Sequence, residues 1–267
     1  MKALILDFDG VISDSAAECF LVALRTYVGL TPDSALSTVL AEVSPNGALR
    51  AERIVAHDVY QSFIELMPLG NRAEDFGVIM MLVEMGADVS DQAAYDEQMQ
   101  REDPTWLERF HIDFYQVRHQ LADAQPEAWR QLMRPFPSFV ELLRRRADEA
   151  TLALATAKDR RSVMALLHDY AIDDLFDERL VADKEAGVRK TAHVRRLLEL
   201  LAIDAADATF VDDKVNHLDS VAELGVRCAL AGWGYNGTRE HRLAEQRGYI
   251  VCSETQVEAQ LFGASAR

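Results

Sequence analysis

The stretch that decides the fold is Met1-Lys2-Ala3-Leu4-Ile5-Leu6 followed by Asp7-Phe8-Asp9-Gly10. The apolar run is too short for a typical helix and predicts a buried β-strand. Side chains two positions apart in a strand point to the same side, so Asp7 and Asp9 are expected to converge just beyond it. Gly10 then lets the chain turn sharply. Open parallel sheets bind their ligands at this carboxyl end of the strands.

Two carboxylates this close repel each other unless a cation lies between them or one of them keeps its proton. The pair Asp7 and Asp9 therefore indicates a chemical site. The alternative is a solvated turn that follows an edge strand and carries no chemistry. Residues elsewhere in the chain favour the first interpretation.

The composition narrows the classes of partner. Of the 267 residues, 49% are hydrophobic, so the chain can bury a substantial core. The net charge of −16 argues against nucleic acid or an anionic membrane as the main partner, because both require a basic surface.

The three cysteines fit neither a disulfide framework nor a zinc site, and we expect reduced thiols in a cytoplasmic protein. Asp7 interrupts the N-terminal apolar run, so no signal peptide is predicted, and no segment reaches the length of a membrane span.

Two regions of the chain differ in hydrophobic periodicity. Residues 14–133 carry apolar residues at helical spacing, punctuated by prolines, with almost no strand signal. Strand and helix patterns then alternate, which predicts a parallel α/β sheet with right-handed crossovers. We therefore predict a core of residues 1–13 and 134–267, with an all-helical domain, residues 14–133, inserted after the first strand. The later strands are predicted over residues 151–155, 180–182, 208–211 and 226–230, and the helices between them over residues 138–147, 161–170, 191–201 and 215–224.

Polar side chains stand where these predicted strands end or where the following helices begin. They supply several carboxylates, a hydroxyl and an ammonium group. Because the carboxyl ends of parallel strands meet at one edge of the sheet, we expect them to form one site. The residues are Asp7 and Asp9, Thr156, Lys190, and the pair Asp212 and Asp213.

These residue types suit phosphoryl transfer, in which catalysis consists mainly of positioning and charge neutralisation. Mg²⁺ takes oxygen ligands and would let a carboxylate approach an anionic ester. Asp7 can then attack phosphorus and form an aspartyl-phosphate. Asp9 can protonate the leaving alkoxide and later deprotonate the water that hydrolyses the intermediate.

The other polar residues have supporting roles in this scheme. Thr156 and the neighbouring backbone N–H of Ala157 can hold phosphate oxygens. Lys190 can neutralise charge on both the phosphate and Asp7. Asp213 completes the metal shell and Asp212 supports it from beside. The predicted metal-binding carboxylates are therefore Asp7, Asp9, Asp213 and Asp212.

Four short segments resemble, in the same order, the four motifs of the haloacid dehalogenase superfamily. They are Asp7-Phe8-Asp9-Gly10-Val11, Thr156, Lys190 and Asp212-Asp213. The resemblance implies a Rossmann-like core, Mg²⁺ dependence and an aspartyl intermediate, with the residue roles given above. It also implies that residues 14–133 form a mobile helical cap of the first type.

One position departs from the family pattern, and the lysine of the third motif has two candidates. Many relatives have Asn after the second-motif Thr, whereas this chain has Ala157, which keeps the backbone N–H but loses a side-chain contact. Lys184 is an alternative to Lys190 in the third motif. Lys190 is favoured because a predicted helix starts beside it and its distance from Asp213 along the chain suits the family.

Three further residues flank the predicted site. Lys158 and Lys214 are expected to be ordinary surface lysines. His217 could approach the cleft, but a partly exposed helical histidine is the favoured interpretation.

We expect a Mg²⁺-dependent phosphatase acting on a small phosphorylated metabolite; no oligomeric state is predicted. A phosphomutase shares these motifs and differs in returning the phosphoryl group to a sugar. A haloacid dehalogenase is disfavoured because Asp9 would have no leaving alkoxide to protonate. A phosphonate hydrolase is disfavoured because residues 14–133 contain no lysine for a Schiff base. The alternative from another class is a non-catalytic binding module.

Overall fold

The computed structural model describes residues 1–70, 72–187 and 189–263, without the side chain of Lys184. Contacts between Cα atoms divide the chain into two compact units. The first consists of Met1–Asp14 and Arg134–Arg267, and the second is Ser15–Met133.

The first unit contains a six-stranded parallel sheet and a two-stranded antiparallel ladder within the described ranges. The strands are β1 (Ala3–Leu6), β2 (Ser13–Asp14), β3 (Arg134–Pro135), β4 (Thr151–Ala155), β5 (Val181–Ala182), β6 (Ala208–Asp212), β7 (Arg227–Ala231) and β8 (Ile250–Cys252). The order in the large sheet is β5-β4-β1-β6-β7-β8. This arrangement confirms the predicted α/β class.

Strand β1 lies in the interior of the sheet, and all four of its side chains are buried. Such continuous apolar strands are typical of parallel sheets that are covered on both faces. Leu6 is level with Leu154 of β4 on one side and with Val211 of β6 on the other. The residues that follow these three strands therefore emerge together at one edge of the sheet.

Six α-helices accompany these strands in the described part of the unit. They are α9 (Pro137–Arg146), α10 (Arg160–Asp169), α11 (Lys190–Leu201), α12 (Val215–Ala222), α13 (Thr238–Gln246) and α14 (Val257–Phe262). Helices α11 and α12 pack against one face of the sheet, where alternate strand residues such as Ile5 and Phe210 form a core with Val194 and Leu218. That packing fixes the first turns of α11 and α12 at the edge where β1 and β6 end.

The ladder of β2 and β3 was not predicted. It pairs Ser13 with Pro135 and Asp14 with Arg134, where the chain leaves the first unit and where it returns. Two-residue strands are too short to show a hydrophobic period, so the sequence pattern could not reveal them. Helices α9 to α12 and strands β4 to β7 lie within about two residues of their predicted positions, the usual disagreement at element ends.

The second unit is helical over its described residues. Its α-helices are α1 (Ala16–Leu30), α2 (Leu36–Val43), α3 (Ala51–Val55), α4 (Asp58–Leu66), α5 (Ala73–Met85), α6 (Gln92–Arg101), α7 (Pro104–Ala124) and α8 (Pro126–Arg130). A break at residues 56 and 57 separates α3 from α4. His57 causes the break, because its extended backbone starts a new helix and its Nδ1 accepts a hydrogen bond from the N–H of Val59.

A buried ion pair lies among the helices of the second unit. Glu18 of α1 is fully buried and accepts two hydrogen bonds from Arg118 of α7, at 2.8 and 2.7 Å. The indole N–H of Trp129 donates to the same carboxylate at 3.1 Å. Three hydrogen bonds, two from the Arg118 guanidinium and one from the Trp129 indole, thus compensate the buried Glu18 carboxylate for its lost hydration.

The three cysteines, Cys19, Cys228 and Cys252, are free and buried. Burial raises the pKa of the Cys228 and Cys252 thiols to about 12, which keeps them protonated and unreactive. Across the described ranges, no helix combines the length and the apolar character needed to cross a bilayer.

Candidate active site

Asp7 is the first residue after β1, and its backbone N–H still donates to the carbonyl of Val211, at 2.9 Å. Its Oδ1 accepts a hydrogen bond from the N–H of Phe8 at 2.7 Å, and its Oδ2 lies 2.6 Å from Nζ of Lys190. Burial raises the pKa of Asp7 to about 6, although the Lys190 ammonium opposes that rise. The carboxylate is thus stripped of most of its water and faces a cation.

Lys190 is the first residue of α11, and its side chain is buried. Its Nζ donates to the carbonyl of Ala155 at 2.7 Å and lies 3.2 Å from Oδ2 of Asp212. Burial lowers the pKa of Lys190, but Asp212 and Asp7 outweigh this effect and the net pKa lies above its ordinary value. Lys190 is therefore a cation between two carboxylates, while the side chain of the alternative, Lys184, lies outside the described part of the structure.

Asp212 ends β6 and is fully buried. Its Oδ1 accepts a hydrogen bond from the N–H of Lys214 at 2.9 Å. Nδ1 of His217 lies 3.0 and 3.1 Å from its two carboxylate oxygens. Burial favours the protonated form, but His217 and Lys190 outweigh it and the pKa of Asp212 falls well below its ordinary value. Asp212 is thus an ionised carboxylate beneath the site.

Asp213 is buried, and its Oδ2 accepts a hydrogen bond from the backbone N–H of Tyr235 at 3.0 Å. Gly10 makes this position possible: it has φ +79°, and a Cβ atom there would lie 2.5 Å from Cγ of Asp213. Burial raises the pKa of Asp213 well above its ordinary value; Lys214 opposes the rise, and Asp212 and Asp7 add to it. Burial thus raises the pKa of two carboxyl groups of the site, Asp7 and Asp213, in spite of the lysine ammonium groups near them.

Asp9 forms an ion pair with Lys158, whose Nζ lies 3.1 Å from Oδ1 of Asp9. The Lys158 side chain is only 6% exposed, whereas that of Asp9 is 33% exposed. Lys214 is buried as well. The expectation that Lys158 and Lys214 are surface lysines is therefore wrong, because both cations are held close to carboxylates of the site.

Thr156 follows β4 and is buried. Its N–H donates to the carbonyl of Ala182 at 2.9 Å, and its Oγ1 accepts a hydrogen bond from the N–H of Lys158 at 3.1 Å. The N–H of Ala157 has no acceptor among the residues that the structure describes. The turn after β4 thus offers a free backbone donor at Ala157, beside the Thr156 hydroxyl, which the hydrogen bond from Lys158 holds in place.

One close group of possible metal ligands occurs in the described ranges. Asp7, Asp212 and His217 each offer a ligand atom, and these atoms lie within 4.8 Å of one another. The predicted set of metal-binding carboxylates shares Asp7 and Asp212 with this group. Its other two members lie outside the group: Asp9 is paired with Lys158, and Asp213 accepts a hydrogen bond from Tyr235. Carboxylate oxygens and an imidazole nitrogen are suitable ligands for a divalent cation. His217 is a partly exposed helical residue, as expected, and it also contacts Asp212, which the sequence analysis gave only as the less favoured alternative.

Solved structures with the same fold cover nearly the whole chain. A haloacid dehalogenase-like family protein from Streptococcus pneumoniae is 13% identical, with 97% of each chain covered and a TM-score of 0.60. A candidate phosphoglycolate phosphatase from Lactobacillus delbrueckii subsp. bulgaricus is 13% identical, with 97% of each chain covered and a TM-score of 0.66. A candidate β-phosphoglucomutase from Thermotoga maritima is 14% identical, covering 99% of this chain and 100% of its own, with a TM-score of 0.57.

No curated protein sequence matches this chain significantly. The sequence profile of the haloacid dehalogenase-like hydrolases matches residues 1–225. The match spans most of the chain and includes the predicted site residues Asp7, Asp9, Thr156, Lys190, Asp212 and Asp213. The chain belongs to the haloacid dehalogenase-like hydrolases.

Proposed function

We propose that this protein is a metal-dependent phosphatase that hydrolyses a small phosphomonoester. One observation carries the proposal: the Asp7 carboxylate, at the edge of the sheet, lies 2.6 Å from the Lys190 ammonium. A buried carboxylate beside a fixed cation suits attack on an anionic phosphorus centre. Structural neighbours that include a candidate phosphoglycolate phosphatase and a candidate β-phosphoglucomutase support chemistry on phosphate esters.

Asp7 is the proposed nucleophile. One of its carboxylate oxygens forms a bond to phosphorus as the bond to the alcohol oxygen breaks, which gives an aspartyl-phosphate. Asp9 donates its proton to the departing alkoxide. Water then attacks phosphorus, Asp9 takes up a proton from it, and inorganic phosphate leaves with Asp7 regenerated.

The phosphate oxygens need donors that do not move during the reaction. The Ala157 N–H supplies one, and Thr156 is proposed to supply its hydroxyl proton while its oxygen keeps the bond from Lys158. Lys190 neutralises charge on Asp7 and on the phosphate. Since the Lys190 amine also donates to the carbonyl of Ala155, its direction is set before substrate arrives.

Mg²⁺ is the proposed cofactor, with Asp7, Asp9, Asp212 and Asp213 as the carboxylates that would hold it. Burial raises the pKa of Asp7 and of Asp213, which indicates that the site lacks positive charge and that a dication fits there. Mg²⁺ held by these carboxylates would supply positive charge that offsets the repulsion between Asp7 and the phosphate ester. We propose in addition that the helical domain, residues 14–133, is a cap that selects the substrate.

The proposal is tested by measuring phosphate release from an aryl phosphate and a panel of phosphorylated metabolites, with Mg²⁺ or with EDTA. We expect turnover that requires the metal and that Asp7→Asn abolishes while the protein stays folded. Conversion of a sugar phosphate to its isomer without phosphate release would identify a phosphomutase instead. Near-normal phosphate release by Asp7→Asn would overturn the proposal.

A further inference from the structure

The loop that follows β7, residues 233–236, contacts two separate segments of the candidate active site. The indole N–H of Trp233 donates to the carbonyl of Val11 at 3.0 Å, in the turn that carries the proposed proton donor. The backbone N–H of Tyr235 donates to Oδ2 of Asp213 at 3.0 Å. The proposed chemistry uses no residue of this loop, so the loop joins the two segments without taking part in the reaction itself.

Gly234 brings the loop against the same two segments. A Cβ atom at this position would lie 2.5 Å from Cβ of Asp213 and still closer to the carbonyl oxygen of Gly10. The backbone of Gly234 is not in the left-handed region, so the close approach alone requires glycine here. A larger residue would displace one of the segments or both.

The turn that carries Asp9 is held from inside and from the loop. Inside the turn, the N–H of Gly10 donates to the carbonyl of Ser13 at 2.8 Å. The loop adds the indole donor described above, and the hydroxyl of Tyr235 lies 3.5 Å from the same carbonyl oxygen of Ser13. A carboxylic acid transfers its proton only within hydrogen-bond reach of the acceptor. Any shift of this turn would therefore move Asp9 relative to the leaving group.

We propose that the loop after β7 is a positioning element of the active site. Trp233 and Gly234 fix the turn that carries Asp9. Gly234 and Tyr235 fix the carboxylate of Asp213. The inference rests on the proposed function, because it concerns the proton donor and a metal-binding carboxylate of that reaction. Such precision matters, since a displacement of about 1 Å can lower turnover by about 10²-fold.

The competing role of the loop is purely structural. The ring of Trp233 packs against Phe139 of α9, with 4.8 Å between the ring centroids, and this contact stabilises the unit. A structural role predicts that variants lose activity towards all esters in equal proportion. A positioning role predicts a selective loss, because a strongly basic leaving group needs the proton from Asp9 and a weakly basic one departs without it.

The test compares kcat/KM for phenyl phosphate with kcat/KM for para-nitrophenyl phosphate, using the full-length protein and excess Mg²⁺. Trp233→Phe removes the indole N–H and keeps an aromatic ring against Phe139. We expect it to lower kcat/KM for phenyl phosphate at least about tenfold more than for the nitrophenyl ester, a part of the 10²–10⁴-fold that a general acid contributes. Tyr249→Phe is the control, because it removes a hydroxyl that donates to Asp219 at 2.7 Å in the same unit. It should leave the ratio of the two esters unchanged.

Calorimetric metal titration gives a readout without turnover. The methyl group of Gly234→Ala would push on Asp213, so we expect the affinity for Mn²⁺ to fall by about tenfold or more, whereas Trp233→Phe should keep it. Gly232→Ala is the matched control. A Cβ atom there would lie 2.5 Å from the carbonyl oxygen of Cys252, and its nearest neighbours belong to Cys252 and His241. This control should lose stability without changing the metal affinity or the ratio of the two esters.

Proportional loss for the two esters in Trp233→Phe would overturn the inference and leave the proposed phosphatase intact. A change of the ratio in Gly232→Ala as large as in Gly234→Ala would do the same. Unchanged metal affinity in a folded Gly234→Ala would overturn the role assigned to the loop at Asp213. If Gly234→Ala does not fold, the ratio measured for Trp233→Phe decides. Failure of the wild type to hydrolyse either ester would overturn the proposed function itself.

Discussion

Nζ of Lys190 lies 2.6 Å from Oδ2 of Asp7, and both side chains are buried. Asp7 directly follows β1 and Lys190 begins α11, and these two elements are far apart in the sequence. Their contact joins the end of the central strand to the start of a helix at the edge of the sheet. It also leaves the ammonium without any substantial hydration, so its charge acts on its neighbours with little screening.

Replacing Lys190 with Met should therefore affect both stability and turnover. Asp7 and Asp212 would each lose a buried cation, which costs about 3–5 kcal/mol when one partner of a buried pair is removed. Lys2→Met is the matched control, because Lys2 is paired with Asp207 at 2.8 Å on the exposed surface, where water and salt screen the interaction. Urea unfolding and phosphate release measure the two effects. Equal loss of stability in both variants would contradict the role of burial.

The raised pKa of Asp7 predicts how the metal-free protein responds to pH. Its pKa is about 6 in the folded protein, against an ordinary value of 3.8. The folded state therefore holds the proton more tightly, and the resulting stability is complete below the ordinary pKa and is lost as the pH rises through about 6.

Asp7→Asn removes this titration. In EDTA, its free energy of unfolding should rise relative to that of the wild type between pH 4 and pH 7, by an amount that denaturant titrations at several pH values would measure. Excess divalent metal should restore the stability of the wild type at the higher pH, because the ion binds only the folded protein with Asp7 ionised. A constant difference across this pH range would show that Asp7 ionises at its ordinary pKa.

The absence of a side chain at Gly10 leaves the space that the Asp213 carboxylate occupies, so Gly10→Ala should weaken metal binding. A Cβ atom at Gly10 would lie 2.5 Å from Cγ of Asp213, and φ at Gly10 is +79°. Gly248→Ala is a close control, since φ is +77° there and a Cβ atom would meet nothing within 4 Å.

Both substitutions place alanine in the left-handed region and should cost about 1–2 kcal/mol of stability. Only Gly10→Ala should also lower the affinity for Mg²⁺ or Mn²⁺, by about tenfold or more as the carboxylate moves. Thermal unfolding and calorimetric metal titration separate the two effects. The same metal affinity in the two variants would show that Asp213 does not bind the ion.

In the helical unit, Arg118→Ala should destabilise the protein by about 3–5 kcal/mol, because it leaves the carboxylate of Glu18 buried without its cation. Arg109→Ala, on the same helix, removes an exposed pair with Asp113, and helix-surface pairs of this kind contribute about 0.3–0.5 kcal/mol. Chemical denaturation of the two variants measures the difference. A small effect of Arg118→Ala would mean that water enters and solvates Glu18.

The α/β fold and the residues at its edge could be predicted from local patterns. The runs over residues 3–6, 151–155 and 208–211 are apolar because they become interior strands, and each is followed directly by polar residues. Lys190 could be predicted to face Asp7 because α11 begins at the lysine itself. Parallel topology then brings these separate segments together without further information.

The contacts that could not be predicted depend on side-chain direction rather than on position in an element. Lys158 turns towards Asp9 instead of solvent, although its place two residues after Thr156 gives no sign of this. His217 reaches Asp212 only because the first turn of α12 folds back over the end of β6. The ladder of β2 and β3 pairs residues 13 and 135, too few and too distant in sequence for a periodic signal.

The central claim is that Asp7 attacks phosphorus, and mass spectrometry of the enzyme quenched during turnover tests it most directly. Borohydride trapping during turnover of an aryl phosphate, followed by proteolysis, should show the modification on the peptide that contains Asp7 and on that residue. Asp7→Asn should give no modified peptide. Turnover without modification at Asp7, or with modification at another residue, would contradict the mechanism.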